Sequence, residues 1–141
     1  MMVRGIRGAT TVPENTREAI LEAAAELLDA IVRANDVDRE HVASAFFTTT
    51  TDLNAEFPAV AARNAGWTDV PLMCGHEMSV PGGLPRCLRL LLHVNTERAL
   101  QEVQHVYLRG AVALRPDLAQ AASGEEAESG EEAASGEEAA S

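Results

Sequence analysis

The sequence contains no lysine, so all eleven of its basic residues are arginine. A genomic composition bias produces such a count, but arginine is also the side chain best built for two-pronged recognition of a carboxylate. No segment combines a basic stripe with interleaved aromatic residues, the pattern of nucleic-acid binders. We therefore expect no nucleic-acid partner.

Long apolar runs are also absent. No segment approaches the length of a membrane span, and the N-terminal sequence MMVRGIRGA lacks the continuous apolar segment of a secretory signal. The prediction is a soluble, cytoplasmic protein with no membrane partner.

Cysteine is scarce, and its two occurrences, Cys74 and Cys87, form neither a CxxC pair nor a disulfide framework. Two small, buried, reduced thiols are the expected state in a reducing compartment. The four histidines show no ligand-like spacing with the cysteines, so no metal site is predicted.

Acidic charge is plentiful but concentrated at one end of the 141-residue chain. The formal net charge is −11, and seven glutamates lie in the SGEEA-type repeat of residues 123–141, which leaves residues 1–122 at −4. The repeat has no large apolar residue and cannot bury enough surface to offset its ordering entropy. The prediction is one folded domain, residues 1–122, followed by an acidic low-complexity tail, residues 123–141, that is disordered or transiently helical.

The folded part alternates strand-like and helix-like segments. Strands are predicted at residues 3–12, 41–51, 70–74 and 86–95, with brief strand-like pieces at 103–108 and 111–114, and helices at 15–35 and 57–67. We expect Asn15 and Glu18 to form the N-terminal cap of the first helix and Asn35 to end it. This order predicts an α/β (α+β) fold, a mixed β-sheet with its helices on one side.

Two arginines occupy strand positions that are expected to face inward. Arg89 interrupts CLRLLLHV, a run apolar on both faces that is typical of a central strand buried on both sides. Such a guanidinium must meet a protein carboxylate, such as Glu77, or an anionic ligand, and the residue alone leaves both open. In RGIRGATTV, strand alternation places Arg4 and Arg7 on opposite faces, so only one of them can easily point to water.

Each of the other polar residues, taken alone, is a weak indication of a functional site. Tyr107 in HVYLR is typical of a core aromatic with one hydrogen bond, and Glu77, Arg63 and Arg115 are by default surface residues. As a set they combine arginines, a tyrosine and one acid, without a nucleophile–base pair, a metal cluster or a Gly-rich phosphate loop.

Five ordered blocks resemble one enzyme family. They are RGIRGATTV, FPA at residues 57–59, C-x-x-E-M at 74–78, GGLPRCLRLL around Arg89, and HVYL followed by LRPDL. Together, over residues 1–118, they resemble the monofunctional chorismate mutases of the AroH type, the class found in Bacillus and Thermus. The resemblance implies a Bacillus chorismate mutase-like homotrimer, a pseudo α/β-barrel with active sites at the subunit interfaces. The implied reaction is the Claisen rearrangement of chorismate to prephenate, without a cofactor.

The resemblance also implies roles for individual residues. Arg89 would bind the ether oxygen that gains negative charge, Arg7 and Tyr107 would hold the carboxylates, and Glu77 would accept from the ring hydroxyl, with Cys74 close by. The remaining substrate-binding residues are Phe57 and Leu114 as apolar wall, Arg63 and Arg115 at the rim, and Met73.

The sequence departs from the family in a few rim positions. Val60 stands where some relatives have a charged residue, Met73 where a threonine can occur, and the loop RNAGW is one residue shorter than in Bacillus-type sequences. These departures concern rim affinity and leave Arg7, Glu77, Arg89 and Tyr107 intact.

Two alternative functions are compatible with an inward set of arginines. One is a trimeric imine deaminase of the RidA type, against which the C-x-x-E-M and RPDL blocks argue. The other is a non-catalytic binder of an aromatic-pathway dicarboxylate.

Overall fold

The computed structural model describes residues 1–114, which form a five-stranded sheet with two α-helices. The strands are β1 Met2–Thr11, β2 Val42–Thr49, β3 Leu72–His76, β4 Cys87–Thr96 and β5 Val106–Tyr107; the helices are α1 Arg17–Asn35 and α2 Ala59–Asn64, and short 3-10 helices span Arg39–His41, Leu100–Glu102 and Arg109–Leu114. Arg115 and the predicted acidic tail, residues 123–141, lie outside the described residues.

The strands lie in the order β3-β2-β4-β1-β5. Strand β4 is antiparallel to both of its neighbours, β1 and β2, whereas β3 runs parallel to β2 and β5 parallel to β1. The predicted mixed sheet is confirmed, and β4 is its central strand.

Both helices cover one face of the sheet. Leu88, Leu90 and Leu92 of β4 are at most 1 % exposed and pack with the apolar faces of α1 and α2. In β1, Gly8 lies against α1, and an added Cβ there would lie 2.5 Å from Ile31 Cδ1. The missing side chain therefore lets the helix approach the strand closely.

The opposite face, which we call the open face, is only partly covered within one chain. Strand alternation and register assign the following residues to it: Gly5, Arg7 and Ala9 of β1, Ser44, Phe46 and Thr48 of β2, Met73 and Gly75 of β3, Cys87, Arg89, Leu91 and His93 of β4, and Tyr107 of β5. Arg89, Leu91 and His93 stay partly exposed there. In the single chain the predicted burial of β4 thus holds for its helix-covered face, whereas on the open face Cys87 is buried and the next three side chains are not.

The start of α1 differs from the prediction. Thr16, not Asn15, is the N-cap, because its backbone is extended (φ −131°) and its hydroxyl accepts from Ala19 N at 3.1 Å. The Asn15 side-chain oxygen accepts instead from the N–H groups of Asn54 and Ala55, each at 3.0 Å. Asn15 therefore ties α1 to the loop after β2.

The end of α1 and the last predicted strand also differ. Asp36, with φ 51°, closes the helix, while the buried Asn35 bonds the main chain of Gln104 through both ends of its amide. Residues 111–114 lie in a 3-10 helix rather than a strand. Arg109, with φ 52°, turns the chain immediately after β5 and so ends the strand.

Candidate active site

Three of the predicted site residues surround Ala9 on the open face. Ala9 faces Arg89 across the β1–β4 pairing and Tyr107 across the β1–β5 pairing, and Arg7 lies two residues earlier on the same side of β1. Because Ala9 is small, it leaves space between these larger side chains. The register of three strands thus brings together residues that are about one hundred positions apart in sequence.

Glu77 joins this group by an ion pair. Its carboxylate oxygen Oε2 lies 3.0 Å from Arg89 Nε, and the two side chains are 18 % and 24 % exposed. The Glu77 N–H donates to Thr49 O at 2.9 Å, which extends the β2–β3 pairing past the end of β3. This hydrogen bond holds the backbone from which the Glu77 side chain extends. Of the two partners considered for Arg89, the protein carboxylate is therefore present, and it is that of Glu77.

Arg7 differs, because it makes no ion pair with a carboxylate of residues 1–114, and its buried Nε atom makes no hydrogen bond to any of them. The backbone of Arg7 is held by a side chain, since its N–H donates to His105 Nδ1 at 3.0 Å. A buried donor without an acceptor is costly. The open face therefore offers a cationic donor that suits an anionic ligand.

An apolar cluster borders the arginines. Tyr107 and Leu114 are 6 % and 8 % exposed and pack with Ala9, Cys87 and Ala111. Burial raises the pKa of the Cys87 thiol, although the charge of Arg89 acts in the opposite direction. A neutral thiol and an apolar wall therefore lie beside Arg89, which lowers the local polarity and strengthens its interactions.

Phe57, Arg63 and Cys74 form a second group away from the first. Phe57 is 66 % exposed and borders, with Cys74, a cavity of about 320 Å³ on the helix-covered side of β3. Burial raises the pKa of the Cys74 thiol, and the charge of Arg63 opposes that shift, which places Arg63 nearby. Cys74 and Glu77 therefore point to opposite sides of β3, so within one chain Cys74 does not lie beside Glu77.

Met73 lies on the open face at the sheet edge and is 63 % exposed. Thr48, which no sequence motif singled out, donates to Glu77 Oε2 at 2.6 Å. The one feature of the sequence that could have pointed to Thr48 is that it begins the TTTT run. In the structure it is in register with Arg89. The described part of the chain contains neither a group of three or more metal-ligating side chains nor a helix long and apolar enough to cross a membrane.

Chemically, the open face can hold a dianion and stabilise further negative charge beside Arg89. It offers two guanidinium groups, a phenol and one acceptor carboxylate in a partly desolvated setting.

Comparisons with known proteins agree with this chemistry. The family model for chorismate mutase type I matches residues 3–118. The chorismate mutase AroH of Thermus thermophilus is 52 % identical over 121 residues, covering 85 % of this chain and 99 % of that protein. The AroH of Bacillus subtilis is 44 % identical over 126 residues, covering 89 % and 99 %. The solved chorismate mutase of Clostridium thermocellum superposes with a TM-score of 0.75 at 47 % identity, covering 76 % of this chain and 96 % of that one.

Proposed function

Because this chain belongs to the chorismate mutase type I family, we propose that its open face is the surface on which chorismate rearranges to prephenate. The activity is that of a chorismate mutase, an isomerase of aromatic amino acid biosynthesis. The observation that supports the site is the buried Arg7 Nε, which has no hydrogen-bond partner among residues 1–114 and belongs to the same sheet face as the Arg89–Glu77 pair. The matches reported above all name chorismate mutases, which sets aside the imine deaminase and the non-catalytic binder.

Arg89 is proposed to act on the bond that breaks. In the rearrangement a carbon–oxygen bond of the enolpyruvyl ether opens while a carbon–carbon bond forms within the same molecule, and the ether oxygen gains negative charge. A fixed guanidinium at that oxygen stabilises the transition state more than the ground state. No proton moves, so the chemistry requires neither a general base nor a nucleophile.

The other residues are proposed to hold the reactive conformer. Arg7 and Tyr107 bind the substrate carboxylates, and Glu77 accepts from the ring hydroxyl. Leu114 lines the wall, and Arg115, outside the described residues, acts at the rim. Holding the two reacting carbons together contributes to rate by orientation rather than by acid–base chemistry.

A homotrimer is proposed to complete the site. Phe46 is 38 % and Met73 63 % exposed on the open face, so a second copy of the chain would bury apolar surface there. Since Phe57, Arg63 and Cys74 lie away from Arg89 in one chain, a site that uses both groups takes them from two chains. We place the enzyme in the cytoplasm, because its two unpaired cysteines suit a reducing compartment.

The decay of chorismate absorbance tests the proposed function. The purified chain should accelerate the decay and yield prephenate as the sole product, and Arg7→Ala should raise the KM for chorismate. A decay rate equal to that of the buffer alone would refute the assignment. An active enzyme whose Arg7→Ala variant is unchanged would refute the site.

A further inference from the structure

We propose that Thr48 is a positioning residue that fixes the Glu77 carboxylate for the ring hydroxyl of chorismate. The inference rests on the proposed function, because it assumes that Glu77 contacts that hydroxyl. Thr48 is an uncharged residue of β2 and is not one of the residues proposed above to contact the substrate.

The geometry centres on one carboxylate oxygen. Thr48 Oγ1 donates to Glu77 Oε2 at 2.6 Å, and Arg89 Nε lies 3.0 Å from the same oxygen. Thr48 is in register with Arg89 on one side and with Gly75 on the other, so its hydroxyl lies between the strand that holds the arginine and the strand that leads to the glutamate.

Together the two contacts limit how far the Glu77 carboxylate can rotate. The last side-chain torsion of glutamate is broad, so a carboxylate held by one donor still rotates. The Thr48 hydrogen bond and the Arg89 ion pair act on the same oxygen, so together they restrict that rotation and give the second oxygen one direction.

A role in binding is therefore expected rather than a role in the bond-breaking step. The ring hydroxyl is distant from the developing charge, so its contact with Glu77 has similar strength in the ground state and the transition state. Losing a uniform interaction raises KM and leaves kcat nearly unchanged.

Thr48→Val tests this, because valine keeps the shape and the strand preference of threonine and removes the hydroxyl. We expect KM for chorismate to rise about tenfold, the size of a lost hydrogen bond to a charged group, with kcat within about twofold. Thr48→Ser restores the hydroxyl and should bring KM back to within about twofold of the parent.

Ser44→Ala is the matched control. Ser44 lies on the same face of the same strand, but its hydroxyl contacts His93 Nδ1 at 3.1 Å rather than Glu77. Its loss should leave KM unchanged, and thermal unfolding of all three variants should show that each is folded.

The Glu77→Ala background separates a positioning role from a purely structural one. If Thr48 acts through Glu77, then Thr48→Val has no further effect on KM once the carboxylate is gone. An equal rise in KM in both backgrounds would overturn the proposal, as would an unchanged KM for Thr48→Val in the parent. If Glu77→Ala raises KM but Thr48→Val does not, only this inference fails; if Glu77→Ala leaves KM unchanged, the assigned role of Glu77 fails with it.

Discussion

At the scale of the residue, the two inward arginines have different surroundings. Arg89 is paired with Glu77, whereas the buried Nε of Arg7 has no acceptor within residues 1–114. Both positions were predictable, since strand alternation and an apolar run identify a charge that is out of place. The contact between Thr48 and Glu77 was not predictable, because it depends on the register of β2 with β3 and on how the chain continues past His76.

Removal of Arg89 is expected to affect turnover most strongly. Arg89→Ala should lower kcat by roughly 100- to 1,000-fold or more, because one donor to a developing oxyanion contributes about 2.7–4 kcal/mol. Arg89→Lys should restore little, since an ammonium cannot make the two-pronged contact. Steady-state kinetics on both folded variants measures this, and near-normal turnover of the alanine variant would show that Arg89 does not act on the breaking bond.

Asp52 allows a prediction about acid stability. Burial acts to raise its pKa, but hydrogen bonds from the Thr50 hydroxyl and the Arg86 N–H outweigh this and hold the pKa below its ordinary value of 3.8. A carboxyl with a lowered pKa in the folded state stabilises the fold above the ordinary value, and this contribution is lost as the pH falls through the folded value. Asp52→Asn should therefore lower Tm at about pH 7 and change it little at about pH 2. Equal Tm differences at both pH values would contradict this.

At the scale of the element, the sequence predicted which segments form strands and helices better than where they end. The apolar periodicity of α1 identified the helix, but Asn15, Thr16 and Asn35 are all residues that cap helices. Which of them does so was decided by tertiary contacts: Asn15 bonds the loop at Asn54, and Asn35 bonds Gln104. The local sequence around a helix end does not specify hydrogen-bond partners that are far away in the chain.

The contact between β1 and α1 predicts a cost for a single added methyl group. In Gly8→Ala the new Cβ would lie 2.5 Å from Ile31 Cδ1 and 3.0 Å from Leu27 Cδ1, both in the buried core. Overpacking of this kind costs about 1–3 kcal/mol of unfolding free energy. Ile31→Val removes the closer atom, so in the Gly8→Ala background it should cost less than in the parent, as measured by urea unfolding. Equal costs of Ile31→Val in both backgrounds would show that the helix shifts away instead.

At the scale of the whole molecule, the open face is the feature that the single chain leaves incomplete. The resemblance predicted a homotrimer with interfacial sites, and the separation of Phe57 and Cys74 from Arg89 supports that proposal. Composition and periodicity alone predict a one-sided sheet but do not specify what covers it.

Mixing two impaired variants tests whether each site uses two chains. Arg89→Ala lacks one half of the site, and Phe57→Asp places a negative charge in the other half, where it repels a dianion. After joint refolding at equal amounts, random trimers should regain about a quarter of parental activity, since each interface needs an intact half from both chains.

The control mixes Arg89→Ala with Arg7→Ala, whose changes lie in the same half of the site. The activity of this mixture is expected not to exceed the mean of the two pure variants, because no interface then combines two intact halves. Recovery in neither mixture would mean that one chain supplies the whole site.

The placement of β1 has a consequence for the newborn chain. This strand precedes the other described elements in the chain, yet its sheet neighbours are β4, in which Thr96 pairs with Met2, and β5, in which Val106 pairs with Gly8. At a synthesis rate of about 5–20 residues per second, β1 waits roughly 4–15 s for the ribosome to reach β4. During that interval the backbone groups of β1 and the apolar side of α1 lack the central strand that they join in the folded protein, so β1 cannot pair until β4 has left the ribosome.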